Sequence, residues 1–332
     1  MTVEQIQSTY PSTANAYLRF AQVKGFDPHT TQLIDGTKVH WIGSEAAEKV
    51  IVHFHGGGYV FPATISLFHF MWDMRERATR ATGSEVSVVV ASYDLAPAGQ
   101  YPRQLQQGIA VVEYMTTDLQ KQPANMIISG NSAGGNLAMG VISHLLHPHP
   151  SCVPLTTTEA FAALLLMSPW ISMCYAAASY GRSANGERDV LHVSSLERWA
   201  NLWKGTGTGP ADHDAYTNPY RAPPGWWAGL GTVARRILIT AGAQELMVDD
   251  ICAFGHCLLK HHSDAGAHAA VQIAVAADES HDQAIIDLDF GFPRRGESAR
   301  CMMDWVQEVF SEGGKGTATG TGTGTDGALK TS

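Results

Sequence analysis

The 332-residue sequence predicts an α/β fold in which a mostly parallel, doubly wound sheet carries helices on both faces. Three observations lead there. Six short apolar runs rich in Val, Ile and Leu read as strands buried on both faces. Helical stretches alternate with them, the order expected of right-handed βαβ units. A composition of 45% hydrophobic and 16% charged residues supplies a sizeable core and differs from that of a disordered chain.

Taken in order, residues 32–42 read as an antiparallel pair turned at Asp35-Gly36. Predicted strands follow at 49–54, 85–92, 125–129, 161–167, 236–240 and 271–275, with predicted helices at 69–81, 103–122, 133–146, 248–261 and 298–310. Residues 168–232 break the rhythm with Trp170, Trp199, Trp203, Trp226 and Trp227, a Pro-Pro pair and many glycines. They are expected to form an insertion above the sheet, where a substrate-covering cap would lie. Residues 1–312 read as a single domain, and 313–332 as a disordered Gly/Thr-rich tail that cannot bury a core.

Charge and composition exclude several classes. The net charge is −9 and no run of Lys or Arg occurs, so binding to nucleic acid or to an anionic membrane is not expected. No stretch approaches the ~20 apolar residues of a membrane helix, and the first residues lack a basic start followed by an apolar segment. A soluble, cytoplasmic protein is expected. Cys152, Cys174, Cys252, Cys257 and Cys301 are odd in number and without metal-ligand spacing, which fits free thiols. His53 and His55 share one face of a strand but have no acidic partners at metal spacing, so neither metal nor cofactor is expected. The oligomeric state stays open, a homodimer included.

Gly130-Asn131-Ser132-Ala133-Gly134-Gly135 follows a short apolar strand and opens an amphipathic helix. This is the context of a nucleophile elbow, whose sharp turn needs tiny residues around an exposed serine near the positive end of a helix dipole. Chance alone yields G-x-S-x-G in roughly one chain in five of this composition, so the placement matters more than the pattern. His55-Gly56-Gly57-Gly58, directly after the strand 49–54, is rarer, at roughly one chain in seventy. Its uncovered backbone N–H groups, with that of Ala133, suit an oxyanion hole. His281 follows the last predicted strand, the position of the base in Ser…acid…His order. The acid should follow strand 236–240, where Glu245 and Asp249 are both in reach and Asp250 reads as a helix N-terminal acid.

Together with Tyr93-Asp94-Leu95-Ala96-Pro97, these residues resemble the hormone-sensitive-lipase family of α/β hydrolases over residues 50–287, in its fungal branch of small esterases and secondary-metabolite hydrolases. The resemblance implies an α/β-hydrolase fold with an eight-stranded sheet and a cap built from about residues 1–30 and 168–232. It implies oxyanion donors at Gly57, Gly58 and Ala133, and a triad of Ser132, His281 and Glu245, with Asp249 as the alternative acid. The implied activity is cleavage of a carboxylic ester, lactone or thioester of a small molecule through an acyl-enzyme, without a cofactor. A transacylase or an enzyme shaping a biosynthetic intermediate fits the same residues, as does a non-catalytic small-molecule receptor of the same fold. The chain departs from the family in having Asn131 before the nucleophile where an Asp is usual, Asp94 where an Arg is frequent, and Glu245 where the acid is mostly Asp.

Overall fold

The computed structural model describes residues 2–205, 214–262, 270–292 and 296–312. The expected tail at 313–332 and residues 206–213 of the Trp-rich insertion lie outside them. Strands β1 (His29–Gln32) and β2 (Lys38–Ile42) form the antiparallel pair, turned where the Asp35 carboxylate accepts from the Thr37 N–H at 2.9 Å and Gly36 takes a φ of +89°. Strands β3 (Lys49–Phe54), β4 (Val86–Ser92), β5 (Met126–Asn131), β6 (Ala163–Met167), β7 (Arg236–Gly242) and β8 (Ala270–Ala276) complete an eight-stranded sheet. Its order is β1-β2-β4-β3-β5-β6-β7-β8. The pairing of β2 with β4 is antiparallel, and those from β4 through β8 are parallel.

The helices are α1 (Val3–Gln7), α2 (Thr13–Lys24), α3 (Ile65–Thr82), α4 (Arg103–Glu113) and α5 (Ala133–Leu146), then α6 (Ala178–Gly181), α7 (Ser183–Arg188) and α8 (Val193–Lys204) in the insertion. Helices α9 (Val248–His262), α10 (Gln283–Asp289) and α11 (Glu297–Glu312) follow. Successive strand residues face opposite ways, and the two cores follow that alternation. Val50, Val52 and Phe54 of β3 join Leu137 of α5, Trp203 of α8 and Phe254 of α9 in one core. Ile51 of β3 joins Phe20 of α2, Phe68 of α3 and Val306 of α11 in the other. This is why the strands read as unbroken apolar runs: each face has a helical layer to bury against.

Two predicted helix boundaries move. Helix α3 starts at Ile65 because the Thr64 side chain caps it, accepting from the Leu67 N–H at 3.3 Å. Helix α4 stops at Glu113 and gives way to a π turn over Tyr114–Asp118, short of the expected 122. Among the described residues no helix is long and apolar enough to cross a membrane. Four strands matter for the site, because β3, β5, β7 and β8 open at their carboxyl ends into the segments carrying residues 55–58, Ser132, Glu245 and His281. In open parallel sheets that edge is where ligands bind.

Candidate active site

Ser132 stands between β5 and α5 with φ 51° and ψ −119°, a conformation that costs a non-glycine residue of order 1–3 kcal/mol. Three backbone hydrogen bonds hold it there. The Ser132 N–H donates to Met167 O at 2.9 Å, and its carbonyl accepts from Trp170 and Asn136 at 2.9 and 3.1 Å. The flanking glycines answer to crowding. A Cβ at Gly130 would strike the Gly134 carbonyl, one at Gly134 would strike the Phe54 carbonyl, and one at Gly135 would lie 2.7 Å from Pro169 Cβ. The turn is therefore built of β5, β3 and α5 backbones in mutual contact.

The segment after β3 is as confined. Gly57 and Gly58 have φ of +107° and +61°. A side chain at Gly57 would meet Phe61 O at 2.5 Å, and one at Gly58 the Trp199 ring at 2.5 Å. Tyr93 braces the loop from behind, its hydroxyl donating to His55 O at 2.5 Å and its ring stacked on His55 with centroids 4.3 Å apart. The backbone N–H groups of Gly57 and Gly58 have no backbone acceptor among the described residues. Ala133 heads α5, where first-turn N–H groups have no partner within the helix.

His281 is buried, and its Nδ1 lies 2.8 Å from Glu245 Oε2. The other oxygen, Oε1, accepts from the Gly242 N–H at 2.9 Å and the Ser168 hydroxyl at 3.1 Å. Asp249 is elsewhere. It accepts from the Ser179 N–H at 2.9 Å and pairs with Arg182 at 3.0 Å, on the first turn of α9. Asp250 accepts from the Tyr180 hydroxyl at 3.1 Å. The loop after β7 thus brings Glu245, and neither Asp249 nor Asp250, to the imidazole.

A third carboxylate completes the cluster. Asp282 Oδ2 is 3.5 Å from His281 Nε2 and accepts from Asn131 Nδ2 at 2.6 Å. Burial by itself would push His281 down, but Asp282 and then Glu245 outweigh it and lift the imidazole to about 9. Burial pushes Glu245 and Asp282 up, against the pull of the imidazole. Both carboxylates thus favour a proton on the imidazole between them. His53 and His55 are pushed down by burial to about 3 and about 4, so both are neutral. His53 is a core residue bonded to Ser129 and Asn131 at 3.1 and 3.2 Å.

Ser132, His281, Asp282, Gly57 and Gly58 line one cavity of about 180 Å³, walled by Phe61, Leu67, Leu191, Trp199 and Ile285. Trp199 lies on α8 and Leu191 just before it, so the insertion supplies one wall. Among the described residues no group of three or more His, Cys, Asp or Glu is arranged to hold a metal. A serine at the head of a helix, an imidazole tied at Nδ1 to a carboxylate, and free backbone N–H groups are the groups acyl transfer requires. Sequence reasoning did not single out Ser168 or the contact between Asn131 and Asp282. The one available signal was the unusual amide at 131.

Residues 51–283 match a family model described as the alpha/beta hydrolase fold. Steryl acetyl hydrolase 1 of Saccharomyces cerevisiae is 24% identical over 163 residues, which cover 48% of this chain and 31% of the yeast protein. Versiconal hemiacetal acetate esterase of Aspergillus parasiticus is 29% identical over 133 residues, 35% of this chain and 40% of that enzyme. Each match spans less than two thirds of the relative's own length. The solved structure of an esterase from the bacterial hormone-sensitive lipase family aligns with a TM-score of 0.64, covering 93% of this chain and 95% of that one. At 20% identity this is a likeness of fold.

Proposed function

Because the chain belongs to the α/β hydrolases, in their hormone-sensitive-lipase branch, we propose that it is a serine esterase acting on a carboxylic ester of a small molecule. The observation that carries this reading is the 2.8 Å contact of buried Glu245 with Nδ1 of His281, an imidazole that lines the same cavity as a serine held at a strand-to-helix turn.

In the proposed reaction, neutral His281 accepts the Ser132 proton at Nε2 while the serine oxygen attacks the ester carbonyl. Glu245 keeps the ring in the tautomer with the proton on Nδ1 and stabilises the imidazolium that forms. The carbonyl oxygen, now an oxyanion, takes hydrogen bonds from Gly57, Gly58 and Ala133, each such donor being worth about 3–4 kcal/mol. The imidazolium returns its proton to the departing alkoxide, and a water deprotonated by the same ring releases the acid. Residues 1–30 and 168–232 act as the cap in this reading, consistent with Tyr10, Leu191 and Trp199 lining the cavity.

A short acyl group is favoured by the cavity of about 180 Å³ and by its aromatic walls. The names of both relatives, an acetyl hydrolase and an acetate esterase, point the same way. The second of these supports a place in secondary metabolism, and five free cysteines suit the reducing cytoplasm. Hydrolysis of p-nitrophenyl acetate, butyrate and palmitate by wild type and Ser132→Ala tests the reading. Acetate and butyrate should give the higher kcat/KM, and Ser132→Ala should lose several orders of magnitude in turnover while staying folded. Retention of more than about a tenth of the activity would remove Ser132 as nucleophile. Preference for palmitate would remove the short-acyl assignment.

A further inference from the structure

Asp282 is a charged group at the cavity that the acyl-transfer steps do not use. It adopts a left-handed backbone, φ 51° and ψ 27°, which brings its carboxylate back beside the ring of its own neighbour. Oδ2 sits 3.5 Å from His281 Nε2, the nitrogen that has to meet Ser132, whereas Glu245 occupies Nδ1. The imidazole therefore lies between two carboxylates. Oδ1 of Asp282 is buried without a hydrogen-bond partner among the described residues, so this carboxylate is held on one side only.

Asn131 is the holder, and its amide orientation follows from donors. The Gly56 N–H can only donate, and it points at Asn131 Oδ1 from 2.8 Å. The amide nitrogen must then face Asp282, to which it donates at 2.6 Å. That donor pulls the Asp282 carboxyl towards its ionised form. An Asp at 131, the residue usual in the resembling family, would set two carboxylates against each other. In this chain the carboxylate near the elbow stands at 282, on the Nε2 side of the ring.

The remaining charges around His281 do not cancel it. Glu245 faces the ring from the loop after β7, and Asp189, which accepts from the Leu246 N–H at 2.6 Å, adds to the field from the segment between α7 and α8. Asp289 of α10 lines the same cavity, and His53 and His55 from the β3 side are neutral. Among the described residues lining the cavity there is no Lys or Arg.

We propose that Asp282 is a positioning residue that competes with Ser132 for Nε2 of His281, so that the resting site holds an imidazolium clamped between Asp282 and Glu245, with neutral Asn131 as the bracket that keeps Asp282 charged. The proposal rests on His281 being the base of the esterase reading. For the ring to accept the serine proton, its own Nε2 proton must first leave to solvent. Activity then rises with pH through a midpoint above the ordinary histidine value, in keeping with the ring's being lifted to about 9.

The test compares wild type with Asp282→Asn and with the swap Asn131→Asp/Asp282→Asn, reading the acid limb of kcat/KM against pH and the His281 ring-nitrogen shifts by ¹⁵N NMR. Asp282→Asn should lower both midpoints by about one to three pH units. The swap keeps one hydrogen bond with donor and acceptor exchanged, so it should melt close to wild type and still lower the midpoints, by less. Midpoints that stay at the wild-type value in both variants, or a swap that titrates at or above wild type, would overturn the proposal. The NMR arm needs no turnover. A wild type that hydrolyses no ester while its ring titrates as described would sink the esterase reading and leave the clamp standing.

Discussion

Glu245 is wholly buried, with Oε1 taken by the Gly242 N–H and the Ser168 hydroxyl and Oε2 by His281. Asp249, whose side chain is 32% exposed, faces Arg182 across an open surface. Two substitutions of equal chemistry therefore separate in effect. Glu245→Gln leaves the ring without the partner that sets its tautomer and should lower kcat by about 10³–10⁴-fold. Asp249→Asn removes a half-exposed pair and a first-turn acid, worth about 1 kcal/mol or less in stability, and should leave kcat near wild type. Steady-state kinetics on a short p-nitrophenyl ester decides the matter, and a dead Asp249→Asn with a healthy Glu245→Gln would reverse the assignment. From the sequence both carboxylates were in reach of His281, because both follow β7, and the first-turn position of Asp249 on α9 spoke for Glu245. Part of what holds Glu245 arrives from the end of β6, where Ser168, 77 residues away in the chain, donates to it. No local pattern announces such a contact.

The strand-to-helix turn was readable for the opposite reason: its demands are local. Gly130, Gly134 and Gly135 leave no room for a Cβ, so the spacing itself carries the geometry. Gly134→Ala should thus do more damage than its single methyl suggests. The added carbon would press on the Phe54 carbonyl and lie 2.6 Å from His55 O, both backbone atoms that cannot rotate away. Overpacking of this kind costs about 1–3 kcal/mol or more. A fall of several degrees in Tm together with loss of activity is expected by thermal melting and ester hydrolysis, since α5 must shift and carry Ser132 with it. Wild-type Tm and activity in Gly134→Ala would mean that the turn is looser than described. Helix ends were less legible. Thr64 lies just ahead of Ile65 as a capping signal, but the apolar pattern of α3 alone placed the start four residues late.

At the scale of the molecule, the sheet was legible because β3 to β7 are covered on both faces and read as continuous apolar runs. The cavity was not. Its walls join residues from the turn after α1, the β3 loop, α10 and the insertion, such as Tyr10, Phe61, Ile286 and Trp199, whose meeting is set by tertiary packing. The Tyr59–Trp203 stack at 3.9 Å and the Tyr101 N–H to Trp203 O bond at 2.9 Å tie α8 down onto the sheet edge. In the proposed reading this enclosure activates one serine out of many. Treatment with a fluorophosphonate followed by peptide mass spectrometry tests it most directly, because only a serine beside a competent base reacts. Stoichiometric phosphonylation at Ser132 is expected, with labelling abolished in Ser132→Ala and strongly slowed in Glu245→Gln. An unlabelled protein, or a phosphonate carried on any residue other than Ser132, would contradict it.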